Sequence, residues 1–159
     1  MANEDKKDFN AMLNDPKDMP KTKVITDQKT IDKYGGSLMY FAPPLVYDKL
    51  MKQIPKGKVI TVTALRDYLA KINHADFTEP ITAGAFTSIA AWASSQRETD
   101  LTPYWRTLKA HGEINPKFPG GVDFQKERLE QEGHQIIQRG RKNIRYYVKD
   151  FETVLFDFV

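Results

Sequence analysis

The chain has no cysteine among its 159 residues. That absence removes disulfides, thiolate metal sites and cysteine nucleophiles together. Histidine is nearly as scarce. His74, His111 and His134 are too scattered to suggest a metal site, and each reads as a surface residue, so no metal or other cofactor is expected. No apolar run approaches the roughly 18 residues of a membrane helix, and the charged residues 1–8 carry no secretion-type apolar stretch. A cytoplasmic protein without membrane attachment is the expectation. What is present suits one folded domain: 40% hydrophobic and 28% charged residues. The net charge is +3, and its distribution says more than its size. Residues 1–33 hold seven acids and seven Lys, so the whole excess lies beyond them. A mild basic bias permits nucleic-acid binding without demanding it.

Residues 1–36 mix charge, Asn, Pro16 and Pro20 with few apolar side chains and stop at Gly35-Gly36. This composition predicts a flexible or loosely docked segment, with residues 1–20 a solvated tail and 21–31 a loosely attached strand. The folded domain is expected over residues 37–159. Val46, Tyr47, Leu50, Met51 and Ile54 share one helical face, opened by Pro43-Pro44 and closed by Pro55. Residues 59–62 are β-branched and strand-like. Thr63 is then the expected cap of a helix with Leu65, Tyr68, Leu69 and Ile72 at i, i+3, i+4 and i+7.

A third helix is expected over residues 82–95, with Phe86, Ile89, Ala90 and Ala93 facing the core. Its other face carries Ala83, Gly84, Thr87, Ala91 and Ser94, all small. Small side chains let a backbone come close, either to another helix or to a sugar-phosphate backbone. Further on, Asp123 reads as the cap of a helix over 124–132 closed by Gly133. Residues 135–138 and 144–148 read as a β-hairpin around Arg139-Gly140-Arg141-Lys142-Asn143. Its basic tip suits phosphates or a solvated turn equally. An apolar end, Phe151 to Phe158, is expected to dock on the core.

The order of certain short motifs carries a resemblance. Pro103-Tyr104-Trp105-Arg106 is followed by Gly112, Gly120-Gly121, Lys126 and Glu132-Gly133, and preceded by Pro55-Lys-Gly-Lys-Val-Ile-Thr61. This resembles the DNA-binding domain of the alkylguanine-DNA alkyltransferases over roughly residues 44–133. The resemblance implies a mainly α fold with a small β-hairpin, a winged helix-turn-helix in which residues 82–95 are the recognition helix. It implies double-stranded DNA as partner, alkylated DNA included, with other repair proteins beside it, and a monomer. Candidate DNA contacts are Thr82, Ala83, Gly84, Thr87, Ala91, Ser94, Arg106, Lys109, Arg139, Arg141 and Lys142. The family's own separate N-terminal domain has no counterpart in the first 43 residues.

The departures from the family matter as much. Its Pro-Cys-His-Arg stretch reads here Pro103, Tyr104, Trp105, Arg106, so the alkyl-accepting Cys position is Tyr104 and the His position is Trp105. Glu132 sits where the family's relay Glu sits, but the relay is absent. A phenol with a pKa near 10 is a far poorer nucleophile than an activated thiolate. The site is therefore degenerate, no catalytic residue is assigned, and the chain looks like the cysteine-lacking alkyltransferase-like proteins. The family's base-flipping Tyr and Arg align with Val62 and Gly84, and no Arg lies between Lys71 and Gln96. The sequence thus predicts a non-catalytic DNA-binding protein linked to alkylated DNA or repair, with Tyr104 and Trp105 filling the family's base pocket. The alternative is a winged-helix protein-interaction module that has lost lesion recognition.

Overall fold

The structure, a computed structural model, describes residues 7–158. Its elements run α1 (Phe9–Asn14), β1 (Lys21–Val24), α2 (Gln28–Tyr34), β2 (Leu38–Phe41), α3 (Pro44–Lys52), β3 (Ile60–Thr61), α4 (Val62–Ile72), β4 (Phe77–Thr78), α5 (Pro80–Ser95), β5 (Thr107–Leu108), α6 (Gly121–Gln131), β6 (Ile136–Arg139) and β7 (Arg145–Val148). The strands form three small sheets. β2 pairs antiparallel with β1 and parallel with β4, β3 pairs parallel with β5, and β6–β7 is the expected hairpin. Helices and small sheets thus share the chain, which is more β than a mainly α reading allows. Three of the strands are two residues long, too short to leave a periodic pattern.

Local chemistry sets the helix starts. Pro44 opens α3 with the fixed φ that suits a first turn. The cap of α4 is Thr61, not Thr63: its hydroxyl accepts from the Ala64 N–H at 3.1 Å, so Val62 is the first helical residue. α5 begins at Pro80, two residues before the expected start, because the Glu79 carboxylate accepts from the N–H groups of Ile81 and Thr82 at 2.9 and 2.7 Å. α6 starts at Gly121 rather than after Asp123. Gly120 caps it at φ 79°, where a Cβ would lie 2.6 Å from that of Phe124, so only glycine fits.

α5 is the element the others pack around. Ala83, Phe86, Thr87, Ile89, Ala90, Ala91, Ala93 and Ser94 are all buried, which covers more than half of its circumference. A helix apolar nearly all round is an interior helix. α3 lies on one side of it, with Tyr47, Leu50, Met51 and Ile54 in the shared core. A smaller second core gathers Val59, Leu108, Ile114, Leu129 and Val148 under the hairpin.

The amino-terminal segment differs from the expected tail. Residues 1–6 lie outside the described part, but from residue 7 the chain is docked. Phe9 and Leu13 are each 3% exposed, and the Phe9 ring stacks on Trp92 at 5.7 Å. The Gln96 side chain accepts from the Phe9 N–H and donates to the Lys7 carbonyl, while Asn10 donates to the Ala93 carbonyl. β1 also joins β2 in one sheet, across the division expected near residue 36. Two apolar residues four apart suffice here because Trp92 and the small residues of α5 receive them, which averaged composition hides. The apolar end docks as expected: the Phe156 N–H reaches the Val59 carbonyl at 2.8 Å, and Phe158 stacks on Tyr68 at 4.6 Å.

Candidate nucleic-acid interface

Tyr104–Arg106 forms a single 3₁₀ turn between α5 and β5, capped by Pro103, with Tyr104 buried and Trp105 and Arg106 half-buried. Tyr104 is 6% exposed, with its ring among Trp105, Phe118 and Phe124 at 5.6, 5.9 and 6.2 Å between centroids. Its hydroxyl donates to the Pro119 carbonyl at 3.0 Å. Burial pushes the phenol up to about 12, with the Arg128 charge acting the other way. At neutral pH this group is a neutral hydrogen-bond donor and a poor nucleophile.

Glu132, at the carboxyl end of α6, ties the turn down. It accepts from Trp105 Nε1 at 3.1 Å, from Arg106 Nε at 2.9 Å and from Arg106 Nη2 at 2.7 Å. The fork-on-carboxylate geometry is the strong, charge-assisted kind. Arg106 Nη1 donates to the Ile54 carbonyl at 2.8 Å, so three of its nitrogens are committed inside the protein. Burial opposes the Glu132 charge, but the bonds from Arg106 and Trp105 outweigh it and hold the carboxyl below the ordinary Glu range. Neighbouring His134 is held low by its own burial. The cluster is a static clamp with no activated nucleophile. Arg106, named above as a DNA contact, is therefore a structural residue.

The small face of α5 also needs correcting. Ala83, Thr87 and Ala91 are fully buried and Ser94 is 4% exposed, so none of the four can touch a duplex. Of the two partners that small side chains admit, packing won. The Thr87 hydroxyl donates to the Gly84 carbonyl, and Ser94 exchanges hydrogen bonds with the backbone of Thr102. Thr82 is half-buried, its hydroxyl held by Glu79. Gly84 alone of that face lies open, with nothing within 4 Å of where a Cβ would be. The outer strip of α5 is Ile81, Gly84, Ala85 and Ser88, which lie three and four residues apart on one side of the helix.

Two hollows flank Gly84. One of about 490 Å³ includes Lys7, Met12, Ala85, Ser88, Lys109 and Lys117 in its lining. The other, of about 240 Å³, includes Val62, Thr63, Arg66, Lys109 and Asn115. Among the described residues four basic side chains line the pair and no carboxylate does. Lys109, shared by both, has an ion pair with Glu113 at 3.6 Å, and Glu113 also reaches Arg145 at the foot of β7 at 3.7 Å. The hairpin cations Arg139, Arg141 and Lys142 are exposed, with the Arg139 guanidinium over the Tyr147 ring at 5.3 Å. The structure thus gathers Gly84 and Lys109 with Arg66, Lys117 and Lys7, which the sequence reading did not name as contacts. Arg66 had a signal, since it lies off the apolar stripe of α4. Lys117 had none, because only the fold of the 109–120 loop brings it to α5.

No family model matches this chain. No curated protein matches it either. Among solved structures it is similar to S. pombe Atl1 in complex with damaged DNA containing O6-carboxymethylguanine, at 21% identity and a TM-score of 0.48, over 79% of this chain and 96% of that one. It is also similar to S. pombe ATL in complex with DNA, at 23% identity and a TM-score of 0.49, over 72% of this chain and 94% of that one.

Proposed function

We propose that this chain is a non-catalytic, alkyltransferase-like DNA-binding protein tied to recognition of alkylated DNA or to DNA repair. In this reading residues 44–133 work as a winged helix-turn-helix, α5 lies against the duplex, and the protein acts as a monomer. The observation that carries the reading is the surface around Gly84. An open helical strip runs between hollows whose described lining includes Arg66, Lys109 and Lys117 and no carboxylate. Such a surface lets two backbones approach and neutralises phosphates on both sides.

Chemistry supports the non-catalytic part. The chain has no cysteine, and the phenol of Tyr104, standing at the family's alkyl-acceptor position, is buried and pushed up to about 12. In this reading the Tyr104 ring and the fully buried Phe118 take part of the space a turned-out base would need, beside a hollow of about 260 Å³ lined in part by Trp105, Phe124 and Arg128. The protein then reads the duplex from outside.

A gel-shift titration with plain and alkylated duplexes tests this. Binding is expected to weaken steeply between low and physiological salt, and Lys109→Gln with Lys117→Gln is expected to flatten that slope. Affinity independent of salt, or unchanged in the double variant, overturns the assignment of this surface. Mass spectrometry after incubation with alkylated duplex is expected to give no alkyl adduct.

A further inference from the structure

We propose that Ile81 is an apolar wedge that enters a base step of bound duplex and kinks it, so that the protein selects steps already weakened in pairing or stacking. This rests on the DNA-binding reading above and adds a specificity-determining residue to it.

Ile81 is 80% exposed. Among the described residues the next large apolar side chains are Val24 at 67%, Leu101 at 57% and Ile72 at 50%. Its place is as unusual as its exposure. It stands at the head of the open strip, one turn before Gly84, with the Glu79 carboxylate at its N–H and, beyond Gly84, hollows whose charged lining among the described residues is basic. It is also held firmly. Pro80 precedes it, its N–H is bonded to the Glu79 carboxylate, and the buried Ala83, Phe86 and Thr87 fix the next turn. An exposed isoleucine on a mobile loop would fold away from water, and this one cannot.

The rest of the strip offers Gly84, Ala85 and Ser88, none large enough to fill a gap between base pairs. Inserted Ile, Leu, Met or Phe side chains are the usual wedges by which proteins kink a duplex from the minor groove. Unstacking takes least free energy where pairing is already poor, as beside a mismatched or alkylated base. The hollow of about 260 Å³ beside Tyr104 includes no residue of the strip in its lining, so a wedge at Ile81 gives a kink and not a nucleotide turned into that hollow.

The test uses the full chain with short duplexes carrying 2-aminopurine beside either a matched pair or a single mismatch, and a second set with end-to-end fluorophores. Wild-type protein at low salt is expected to raise 2-aminopurine fluorescence and to shorten the end-to-end distance, more so with the mismatch. Ile81→Ala is expected to keep its fold and its salt-dependent binding but lose both signals. Ile81→Met is expected to retain them, and Ile144→Ala, a comparable exposed change in the hairpin, to behave as wild type. Binding by wild type without either signal, or signals unchanged in Ile81→Ala, overturns the wedge and leaves DNA binding standing. No salt-dependent binding by wild type overturns both.

Discussion

Arg106 and Lys109 lie three residues apart and handle positive charge in opposite ways. Arg106 turns inward, where Glu132 and the Ile54 carbonyl take three of its nitrogens. Lys109 turns outward into both hollows beside α5, with only a longer contact to Glu113. What separates them is the geometry of the pairing: Glu132 takes Arg106 in two hydrogen bonds at 2.9 and 2.7 Å, whereas Glu113 holds Lys109 only in an ion pair at 3.6 Å and shares itself with Arg145. A forked, hydrogen-bonded pair fixes its cation, and a looser shared ion pair leaves its cation at the surface. The same contrast divides Tyr104, sealed under Phe118 and Phe124, from Ile81, which nothing covers. One region of the molecule has turned its polar and aromatic groups on itself, and the other keeps Ile81, Gly84 and Lys117 at the surface.

The largest break in that contrast should come from opening the sealed side. Tyr104→Ala removes a buried ring and a hydrogen bond, and is expected to destabilise the fold by about 3–5 kcal/mol in chemical denaturation. At a temperature where the variant stays folded, its affinity for undamaged duplex in a gel shift should be that of wild type. Glu132→Gln comes next, at about 3 kcal/mol, because it leaves the Arg106 charge buried against a neutral partner. The sign of its pH effect follows from the lowered Glu132 carboxyl. That group contributes fully above the ordinary Glu range near 4.3, and its contribution is lost as pH falls through the lower folded value. Melting curves of Glu132→Gln should therefore lose part of the acid-side decline that wild type shows.

Changes on the open side should move binding and spare the fold. Replacing Arg139, Arg141 and Lys142 together by Gln is expected to alter stability by less than about 0.5 kcal/mol. If all three meet phosphates, the salt slope should fall by roughly 0.9 for each phosphate that is no longer neutralised. An unchanged slope would make the tip a solvated turn. The smallest expected effect sharpens the contrast most. Gly84→Ala meets open space in the free protein, so it should stabilise α5 by about 0.5–1 kcal/mol. If Gly84 is where a backbone approaches, the same methyl group should weaken duplex binding.

The elements with long patterns were legible in the sequence, and so was the hairpin. α3 and α4 announced themselves by the spacing of Val46 to Ile54 and Leu65 to Ile72, and Arg139 to Asn143 marked a turn. The docked α1 was not legible, since Phe9 and Leu13 look ordinary until Trp92 and Ala93 are beside them. The site was legible only as a neighbourhood. Small residues at 83, 87, 91 and 94 are equally good for close packing on protein or on DNA, and only the arrival of α1 and α3 decides the matter. Arg106 had no local cue to its inward turn, because Glu132 lies 26 residues away. Lys117 joins the surface only through the course of the loop that carries it.

The burial of α5 also limits how this protein can change over generations. Most DNA-reading helices can be retargeted by exchanging outward side chains while the scaffold tolerates it. Here half of the helix's residues are buried, and substitutions at Ala83, Thr87, Ala91 or Ser94 would be screened for packing before any ligand met them. If α5 lies against the duplex as proposed, novelty in what is bound has most room at its outer positions, such as Ile81, Gly84, Ala85 and Ser88, and in the loop that carries Lys109 and Lys117. Lineages descended from such a chain should vary at those few positions while the remainder of the helix drifts slowly.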